Sequence, residues 1–313
     1  GFGIMNDIKE IAVKLYGLCA AGGCEREMSE CISEYLKDIE SFKDAHGTIV
    51  FHKKGTGTPA VILTALDIPS LFTTHRDKDG FMRFCTYGVD HKKIKGARVR
   101  FESGKYGTVC SEKDKDDMTD FFIDTGGENI GEAEPVSIDT GLYFAGDTVR
   151  GFSATDYLLK SVLISAACAK TARDCYFVFA AKTALPRFSA GFMHKIPREC
   201  EIYVLDKSEV HDVPGNDNVQ TKLGGGVCLR VADKSVISSK RLVSKTEVIA
   251  KDIKIQREVS GRTGLGGSLQ SYELGYELVS LGLPARYADE LCETASLSDA
   301  EELQKLLIKY LEV

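Results

Sequence analysis

Three runs of apolar residues constrain the fold of this chain more than any other feature. They are AVIL at 60–63, YFVFAA at 176–181 and IYVL at 202–205. Continuous apolar runs of this length are typical of strands buried on both faces of a sheet. Apolar residues at helical spacing lie in the segments around them, at 8–15, 28–36, 158–167 and 303–310. The sequence therefore predicts a layered α/β fold.

Between about 71 and 148 the pattern changes to short strand-like runs separated by glycines and charged turns. Examples are FMRFCTYGV, ARVRFESG, YGTVC and DFFIDTG, and no helix of normal length is predicted among them. Short strands at regular spacing are typical of a small antiparallel barrel or sandwich. We therefore predict an α/β domain formed by 1–69 and 150–313, with an inserted β-barrel-like domain at 70–149.

Composition narrows the possible partners and the location. The net charge of -6 and the pI near 5.7 argue against nucleic acid as the main partner. No run approaches eighteen apolar residues, so no membrane span is predicted. The ten cysteines are scattered and form no Cys-x-x-Cys pair, which favours free thiols in a reducing compartment and a cytoplasmic location.

Candidate chemical groups follow the predicted buried strands. The first strand leads into Ala65 and Asp67, the second into Lys182 and the third into Asp206. In open α/β sheets, binding sites lie at the carboxyl ends of the strands. The sequence therefore predicts a functional cleft where these strand ends meet.

Several fragments, in a fixed order, resemble one known family. They are THRDKDGFMRF, FFIDTGGENIGEAE, DVPG, LGGGVCLRVAD and GLPARY. Together they make the chain similar to the glutamyl and deblocking aminopeptidases of the tetrahedral aminopeptidase family, some of which were once labelled endoglucanases. The resemblance implies a zinc-aminopeptidase-like mixed sheet with helices on both faces, interrupted by a small all-β inserted domain. It also implies a homo-oligomer with contacts through that inserted domain.

In that family two divalent metals, usually zinc or cobalt, activate the water that attacks the peptide carbonyl. The resemblance places the metal-ligand positions on Ala65, Thr155, Thr183, Asp206 and Asp289, and the general-base position on Lys182. It places positions that support the metal ligands or line the cleft on Asp67, Asp156, Arg286 and Tyr287. Of the metal-ligand positions, only Asp206 keeps its residue type, and Asp289 is a carboxylate where histidine is expected.

A second observation does not depend on the alignment register. No Asp or Glu occurs from Cys175 to Arg198, and no His lies between His52 and His75. Divalent metals need anionic or imidazole donors, so we predict that the metal ligands are lost and expect no cofactor. We also predict that the Lys182 ammonium pairs with Asp206 or Asp289 in place of a metal.

Two functional hypotheses remain open. The first is a non-catalytic homologue that keeps the peptidase fold to hold a peptide in the cleft or to assemble. The second is an active aminopeptidase with a reduced site, in which zinc or cobalt is held by Asp206, Asp289 and a recruited histidine. The candidates for that histidine are His75, His194 and His211.

Overall fold

The computed structural model describes residues 7–216 and 219–312. Its helices are α1 (Ile8–Tyr16), α2 (Arg26–Tyr35), α3 (Ala154–Cys168), α4 (Lys240–Ile249), α5 (Gly267–Gln270) and α6 (Leu297–Glu312). Its strands are β1 (Glu40–Lys43), β2 (Ile49–Lys53), β3 (Thr56–Ala65), β4 (Ser70–Arg76), β5 (Met82–Tyr87), β6 (Arg98–Phe101), β7 (Tyr106–Ser111), β8 (Phe121–Asp124), β9 (Pro135–Ile138), β10 (Tyr143–Ala145), β11 (Thr148–Arg150), β12 (Arg173–Ala180), β13 (Glu201–Glu209), β14 (Val227–Ala232), β15 (Ile255–Val259), β16 (Leu278–Ala285) and β17 (Thr294–Ser296).

The central sheet has eight strands in the order β1-β2-β12-β3-β13-β16-β14-β15. Its middle four strands, β12, β3, β13 and β16, are parallel to one another. The three apolar runs of the sequence pair directly here, with Leu63 opposite Val178 on one side and Val204 on the other. The predicted mixed α/β sheet is confirmed, and the carboxyl ends of these four strands form one edge.

The two faces of the sheet are covered unequally. Helices α1, α2, α3, α4 and α6 pack on one face around a large core, and most of the side chains of α3 are buried. The other face carries a smaller core under the short 3-10 helix Gly191–Lys195 and the residues around α5. No helix in the described residues is long and apolar enough to span a bilayer.

A closed barrel interrupts this layered part of the chain. Its six strands run in the order β4-β5-β8-β7-β6-β9 around a separate core that includes Leu71, Val99, Phe101 and Ile123. Strand β11 pairs instead with β10 on one side and with β17 on the other, in a three-stranded sheet beside the α/β part. The small β-barrel is therefore present, whereas the domain boundaries at 69/70 and 149/150 stay predictions.

Candidate functional site

A cavity of about 430 Å³ opens at the carboxyl edge of the parallel strands. It brings together sequence-predicted positions from five segments of the chain: Ala65, Asp67, Asp156, Thr183, Asp206 and Asp289. Apolar residues around 185–188 and the glycine-containing segment around 262–265 complete the walls. The location follows from the parallel sheet, because such strands end at a common edge.

Lys207 is the unexpected member of this cavity. It lies near the carboxyl end of β13, directly after Asp206. Successive side chains of a strand point to opposite faces of the sheet. Lys207 therefore shares a face with Leu205, which belongs to the core that includes α3, and its ammonium reaches the first turn of that helix.

The Lys207 ammonium is surrounded by three carboxylates. Its Nζ atom lies 2.9 Å from Asp156 Oδ2, 3.0 Å from Asp289 Oδ1 and 2.7 Å from Glu293 Oε2. The Lys207 side chain is only 4% exposed. Burial lowers the pKa of this lysine, but the three carboxylates outweigh burial and raise the pKa well above its ordinary value. Lys207 is therefore charged throughout the physiological pH range.

Glu293 connects this cluster of charges to the backbone. Its side chain is fully buried, and Oε1 accepts a hydrogen bond from the Thr155 backbone N–H at 2.9 Å. Its other oxygen, Oε2, accepts from the Asp289 backbone N–H at 3.0 Å while it contacts Lys207. Glu293 thus connects the start of α3 to the loop after β16. Thr155, a predicted metal-ligand position, contributes only its backbone N–H to this contact and has no carboxylate.

A second cation holds Asp289 from the solvent side. Arg262 Nη2 donates to Asp289 Oδ2 at 2.7 Å. Burial raises the pKa of Asp289, but Lys207 and Arg262 together hold it well below its ordinary value. Both oxygens of this carboxylate are therefore engaged by cationic side chains.

Asp206 is paired on the opposite face of β13. The Nη1 atom of Arg230, a fully buried residue of β14, lies 3.0 Å from Asp206 Oδ2. The same guanidinium donates to Glu258 Oε2 at 3.0 Å and to the Lys207 carbonyl at 2.6 Å. Asp206 Oδ2 also accepts from the Leu265 backbone N–H at 3.1 Å. This aspartate is thus neutralised by an arginine and fixed by the backbone.

Asp67 holds the turn that follows β12. Its Oδ1 accepts from the Thr183 backbone N–H at 2.8 Å and from the Thr183 hydroxyl at 2.7 Å, and its Oδ2 accepts from the Ala184 N–H at 3.1 Å. Burial raises the pKa of Asp67, and these hydrogen bonds oppose the rise. The residue has a structural role here that the sequence left open.

The ion pair predicted for Lys182 is wrong. Asp206 pairs with Arg230, and Asp289 pairs with Lys207 and Arg262. Strand β12 ends at Ala180, and Lys182 takes a left-handed backbone conformation with φ of 58°. This turn places Lys182 in a neighbouring smaller cavity and not in the lining of the main one.

Other predicted positions lie outside the main cavity. Arg286 forms a two-pronged contact with Asp212, through Nε at 2.8 Å and Nη2 at 2.5 Å. Arg286 and Tyr287 line a separate depression with residues around 290–294. The three histidines considered as replacement ligands, His75, His194 and His211, are also absent from the lining of the main cavity.

Sequence reasoning missed most of the charged residues that contact the predicted ones. These are Lys160, Lys207, Arg230, Arg262 and Glu293. Two of them had a signal, because Arg230 interrupts the otherwise apolar strand VCLRVA and Lys207 lies in β13 two residues after its apolar run IYVL. Buried lysine and arginine are rare unless they are paired. Glu293 lies in an ordinary loop and gave no such signal.

Lys160 lies beneath the cavity on α3. Its side chain is completely buried, and Nζ lies 3.4 Å from the backbone carbonyl oxygens of Asp67 and Asp156. Burial lowers its pKa to about 8, although Asp156 and Asp67 act in the opposite direction. The site thus contains a second buried lysine with weaker compensation than Lys207.

Of the carboxylates in the cavity, Asp156, Asp206 and Asp289 therefore lie beside cationic side chains, whereas Asp67 is held by the turn after β12. In residues 7–216 and 219–312, no three His, Cys, Asp or Glu side chains form a group that could hold a metal ion. The nearest candidates, Asp156, Asp289 and Glu293, converge on an ammonium group.

The sequence profile of the M42 glutamyl aminopeptidases matches residues 47–306. The chain belongs to the M42 family. It is 29% identical over 97% of its length to an Acetivibrio thermocellus protein named "Putative aminopeptidase", of which the match covers 98%. The suspected family is thereby confirmed.

Solved structures confirm the fold of this M42 family member. It superposes on an aminopeptidase from the archaeon Desulfurococcus kamchatkensis with a TM-score of 0.90, covering 99% of this chain and 95% of the other at 22% identity. It superposes on the Pyrococcus horikoshii TET1 peptidase with a TM-score of 0.85, covering 97% and 99% at 21% identity. The latter is described as assembling into a tetrahedron or a large octahedral shell.

Proposed function

We propose that this M42 family member has lost the metal pair and the hydrolytic chemistry of an aminopeptidase, and that it uses the fold to bind peptides and to assemble. The observation that carries the proposal is the Lys207 ammonium, 2.7–3.0 Å from three carboxylates at the strand ends. Such an ammonium supplies the positive charge that a metal would otherwise supply.

The residues present do not fit a pair of divalent metals. A cation placed among Asp156, Asp289 and Glu293 would meet the charge of Lys207, and like charges in a buried site repel strongly. Asp206 and Asp289 are already engaged by Arg230 and Arg262. The donor types at Ala65, Thr155 and Thr183 are also unsuited to zinc or cobalt.

The general-base position supports the same proposal. Water-dependent peptide hydrolysis by this class of enzyme needs a carboxylate that accepts the proton of the attacking water. The position assigned to it holds Lys182, and the segment from Cys175 to Arg198 contains no Asp or Glu. An ammonium cannot accept that proton.

Retention of peptide binding is supported by the cavity itself. A volume of about 430 Å³ lies within the usual range for small-ligand sites, about 300–1,000 Å³. Its walls combine apolar residues such as Phe188 and Leu265 with partly exposed carboxylates at Asp156 and Asp206. This lining suits a short peptide whose amino terminus faces the acidic side.

Assembly is supported by the barrel and by the relatives. A separate β-barrel with its own core is available for contacts between copies. The related TET1 peptidase is described as forming large shells. We propose a homo-oligomer with contacts through the inserted barrel, of unspecified subunit number.

Two measurements on one sample test the loss of catalysis. Protein purified without chelator is analysed for bound metals, and the same sample is assayed with aminoacyl anilides in the presence and absence of added zinc or cobalt. We expect less than one tightly bound metal per chain and no hydrolysis under either condition. Two bound metals would contradict the proposal, and one bound metal with hydrolysis would favour an active enzyme with a reduced site.

A binding measurement tests the peptide role. Short peptides of varied first residue are titrated into the protein by calorimetry, together with their amino-acetylated forms. We expect binding that depends on the free amino group. Equal binding of both forms would contradict a cleft that recognises the amino terminus.

A further inference from the structure

Two cysteine side chains are in direct contact in the loop between α1 and α2. The Sγ atoms of Cys19 and Cys24 lie 3.0 Å apart, which is about 1 Å longer than the bond of roughly 2.05 Å in a disulfide. Both residues are free thiols and both are half-buried. We call residues 19–24 the thiol loop. Formation of a disulfide there requires only a small movement of the two side chains.

Hydrogen bonds hold the thiol loop in this conformation. The Cys24 N–H donates to the Ala21 carbonyl at 2.8 Å, and the Cys19 N–H donates to Glu27 Oε2 at 3.1 Å. Gly23 has φ of 90°, a conformation that glycine adopts without strain. The backbone of the loop therefore keeps the two cysteines close together.

The pair is better suited to oxidation than to metal binding. Metal ions bind cysteine as the thiolate, whereas burial and the neighbouring Cys19 and Glu102 raise the pKa of Cys24. Cys24 therefore keeps its proton at neutral pH. Within residues 7–216 and 219–312, no third His, Cys, Asp or Glu completes a metal-binding group with the two thiols.

Glu102 makes the two thiols chemically unequal. The Cys24 thiol donates to Glu102 Oε1 at 3.3 Å, and a nearby negative charge disfavours a thiolate. The Sγ atom of Cys19 lies 3.8 Å from the neutral hydroxyl of Ser137. Because the thiolate is the nucleophile in thiol–disulfide exchange, we assign the first attack to Cys19 and the second to Cys24.

We propose that Cys19 and Cys24 form a reversible disulfide by exchange with a small-molecule disulfide. The Cys19 thiolate attacks one sulfur of that molecule, the S–S bond of the molecule breaks, and one thiolate leaves. Cys24 then attacks Cys19 Sγ, its proton passes to Glu102, and the second thiolate leaves. The protein is oxidised by two electrons, and the small disulfide is reduced to two thiols, which take up the two protons. The proposal does not depend on whether the main cavity retains catalysis.

The thiol loop is bonded to the wall of the main cavity. The Ile68 N–H donates to the Ala20 carbonyl at 2.9 Å, and Ile68 lines the cavity beside Asp67. Gly22 also borders Asp67, because a Cβ atom at Gly22 would lie 3.3 Å from Asp67 Oδ2. A disulfide closes a short covalent ring around Ala20 and restricts the loop. We therefore expect oxidation to stabilise the hydrogen bond between Ala20 and Ile68.

Incubation of the full chain with oxidised glutathione tests the proposal. After acid quenching and alkylation, trypsin releases residues 15–26, whose only cysteines are Cys19 and Cys24. Mass spectrometry should show this peptide lighter by two hydrogen atoms. This form should exceed the glutathione adducts of the same peptide more than about tenfold, because the neighbouring thiol displaces glutathione within the same molecule.

Cys292 is the internal control. It is exposed and is the only cysteine of the tryptic peptide 287–305, so it should accumulate a glutathione adduct in the same sample. If peptide 15–26 stayed reduced or accumulated glutathione adducts while Cys292 reacted, the proposal would be overturned. Added reduced glutathione in excess should restore both thiols of the pair.

Single variants test the order of attack. Cys24→Ser and Cys19→Ser should each prevent the loss of hydrogen and leave a glutathione adduct on the remaining cysteine. The adduct should form faster on Cys19 in Cys24→Ser than on Cys24 in Cys19→Ser, because Glu102 disfavours the Cys24 thiolate. The opposite order would overturn the assignment of Cys19 as the first nucleophile.

Hydrogen exchange of the Ile68 amide tests the effect on the cavity wall in the unaltered protein. Followed by NMR, this amide should exchange more slowly after oxidation than before it, since its acceptor lies within the closed ring. The same oxidation of Cys24→Ser should leave the exchange rate unchanged, which controls for reactions at other cysteines. Equal exchange in the oxidised and reduced parent protein would refute the link to the cavity.

Discussion

The Nζ atom of Lys207 lies 2.7 Å from Oε2 of Glu293, and both side chains are removed from solvent. This contact joins the end of a central strand to the loop after β16. The favourable energy of such a pair is offset largely by desolvation of both charges. Its main consequence is therefore the cost of breaking it from one side.

Removal of the Lys207 charge should destabilise the protein strongly. Lys207→Met leaves Asp156, Asp289 and Glu293 with reduced compensation, and we expect a loss on the order of 3–5 kcal/mol in the free energy of unfolding. The measurement is urea denaturation at neutral pH. Lys207→Met combined with Glu293→Gln should recover part of the loss, because one buried negative charge is also removed.

The control for this prediction is Lys305→Met. Lys305 is 57% exposed and pairs with Glu302 at 2.8 Å along α6, so its removal should change the free energy of unfolding by about 0.5 kcal/mol or less. If Lys207→Met lowered the free energy of unfolding as little as Lys305→Met does, the charge of Lys207 would not be needed for stability and the prediction would be wrong.

The same variant should acquire an affinity for divalent cations. Without the ammonium, three carboxylates converge on one point, and carboxylate oxygens are the preferred ligands of calcium. A cation that binds only the folded state raises the melting temperature. We expect calcium to raise the melting temperature of Lys207→Met but not of the parent protein, as followed by circular dichroism. An equal response of both proteins, or of Lys305→Met, would indicate non-specific binding.

Lys160 should make the stability dependent on alkaline pH. Burial lowers its pKa in the folded state to about 8 from an ordinary value of 10.5. Between these values the unfolded chain holds more protons than the folded one, so stability should rise as pH increases from about 8 to 10.5. Lys160→Met removes the buried charge and should stabilise the protein at pH 7 by about 1–3 kcal/mol.

The advantage of Lys160→Met should shrink as the pH passes through that interval. Urea denaturation of both proteins at a series of pH values measures the difference. If the difference in the free energy of unfolding between the two proteins did not change with pH, or if Lys160→Met were less stable than the parent at pH 7, the prediction would be wrong. Either result would show that the folded protein stabilises the charged form of Lys160.

Assembly through the barrel can be tested with two exposed apolar residues. Tyr106 on β7 of the barrel is 49% exposed, whereas Leu274 in the α/β part is 92% exposed. We expect Tyr106→Asp to lower the oligomeric mass in light scattering, because a charge in an apolar contact is costly. Leu274→Asp is the matched control. A mass unaffected by Tyr106→Asp, or lowered only by Leu274→Asp, would argue against the barrel contact.

Much of the fold could be predicted from sequence because its signals are local. Apolar runs such as the one that ends at Leu63 predict buried strands, and the short strand-like runs after Leu71 predict the barrel. The ordered fragments gave the family, which the profile match over 47–306 confirms. The absence of Asp and Glu between Cys175 and Arg198 is likewise a property of the sequence alone.

Only the tertiary structure decided which cation meets the acidic residues of the site. The sequence suggested Lys182 as that cation, but the left-handed backbone at Lys182 places this residue in the lining of a neighbouring pocket. Lys207 reaches the carboxylates because strand alternation directs it toward α3, and Asp289, 82 residues later, is brought beside it. A buried charge is stable only beside opposite charges in suitable geometry. That geometry depends on contacts between distant segments, which no local pattern in the sequence specifies.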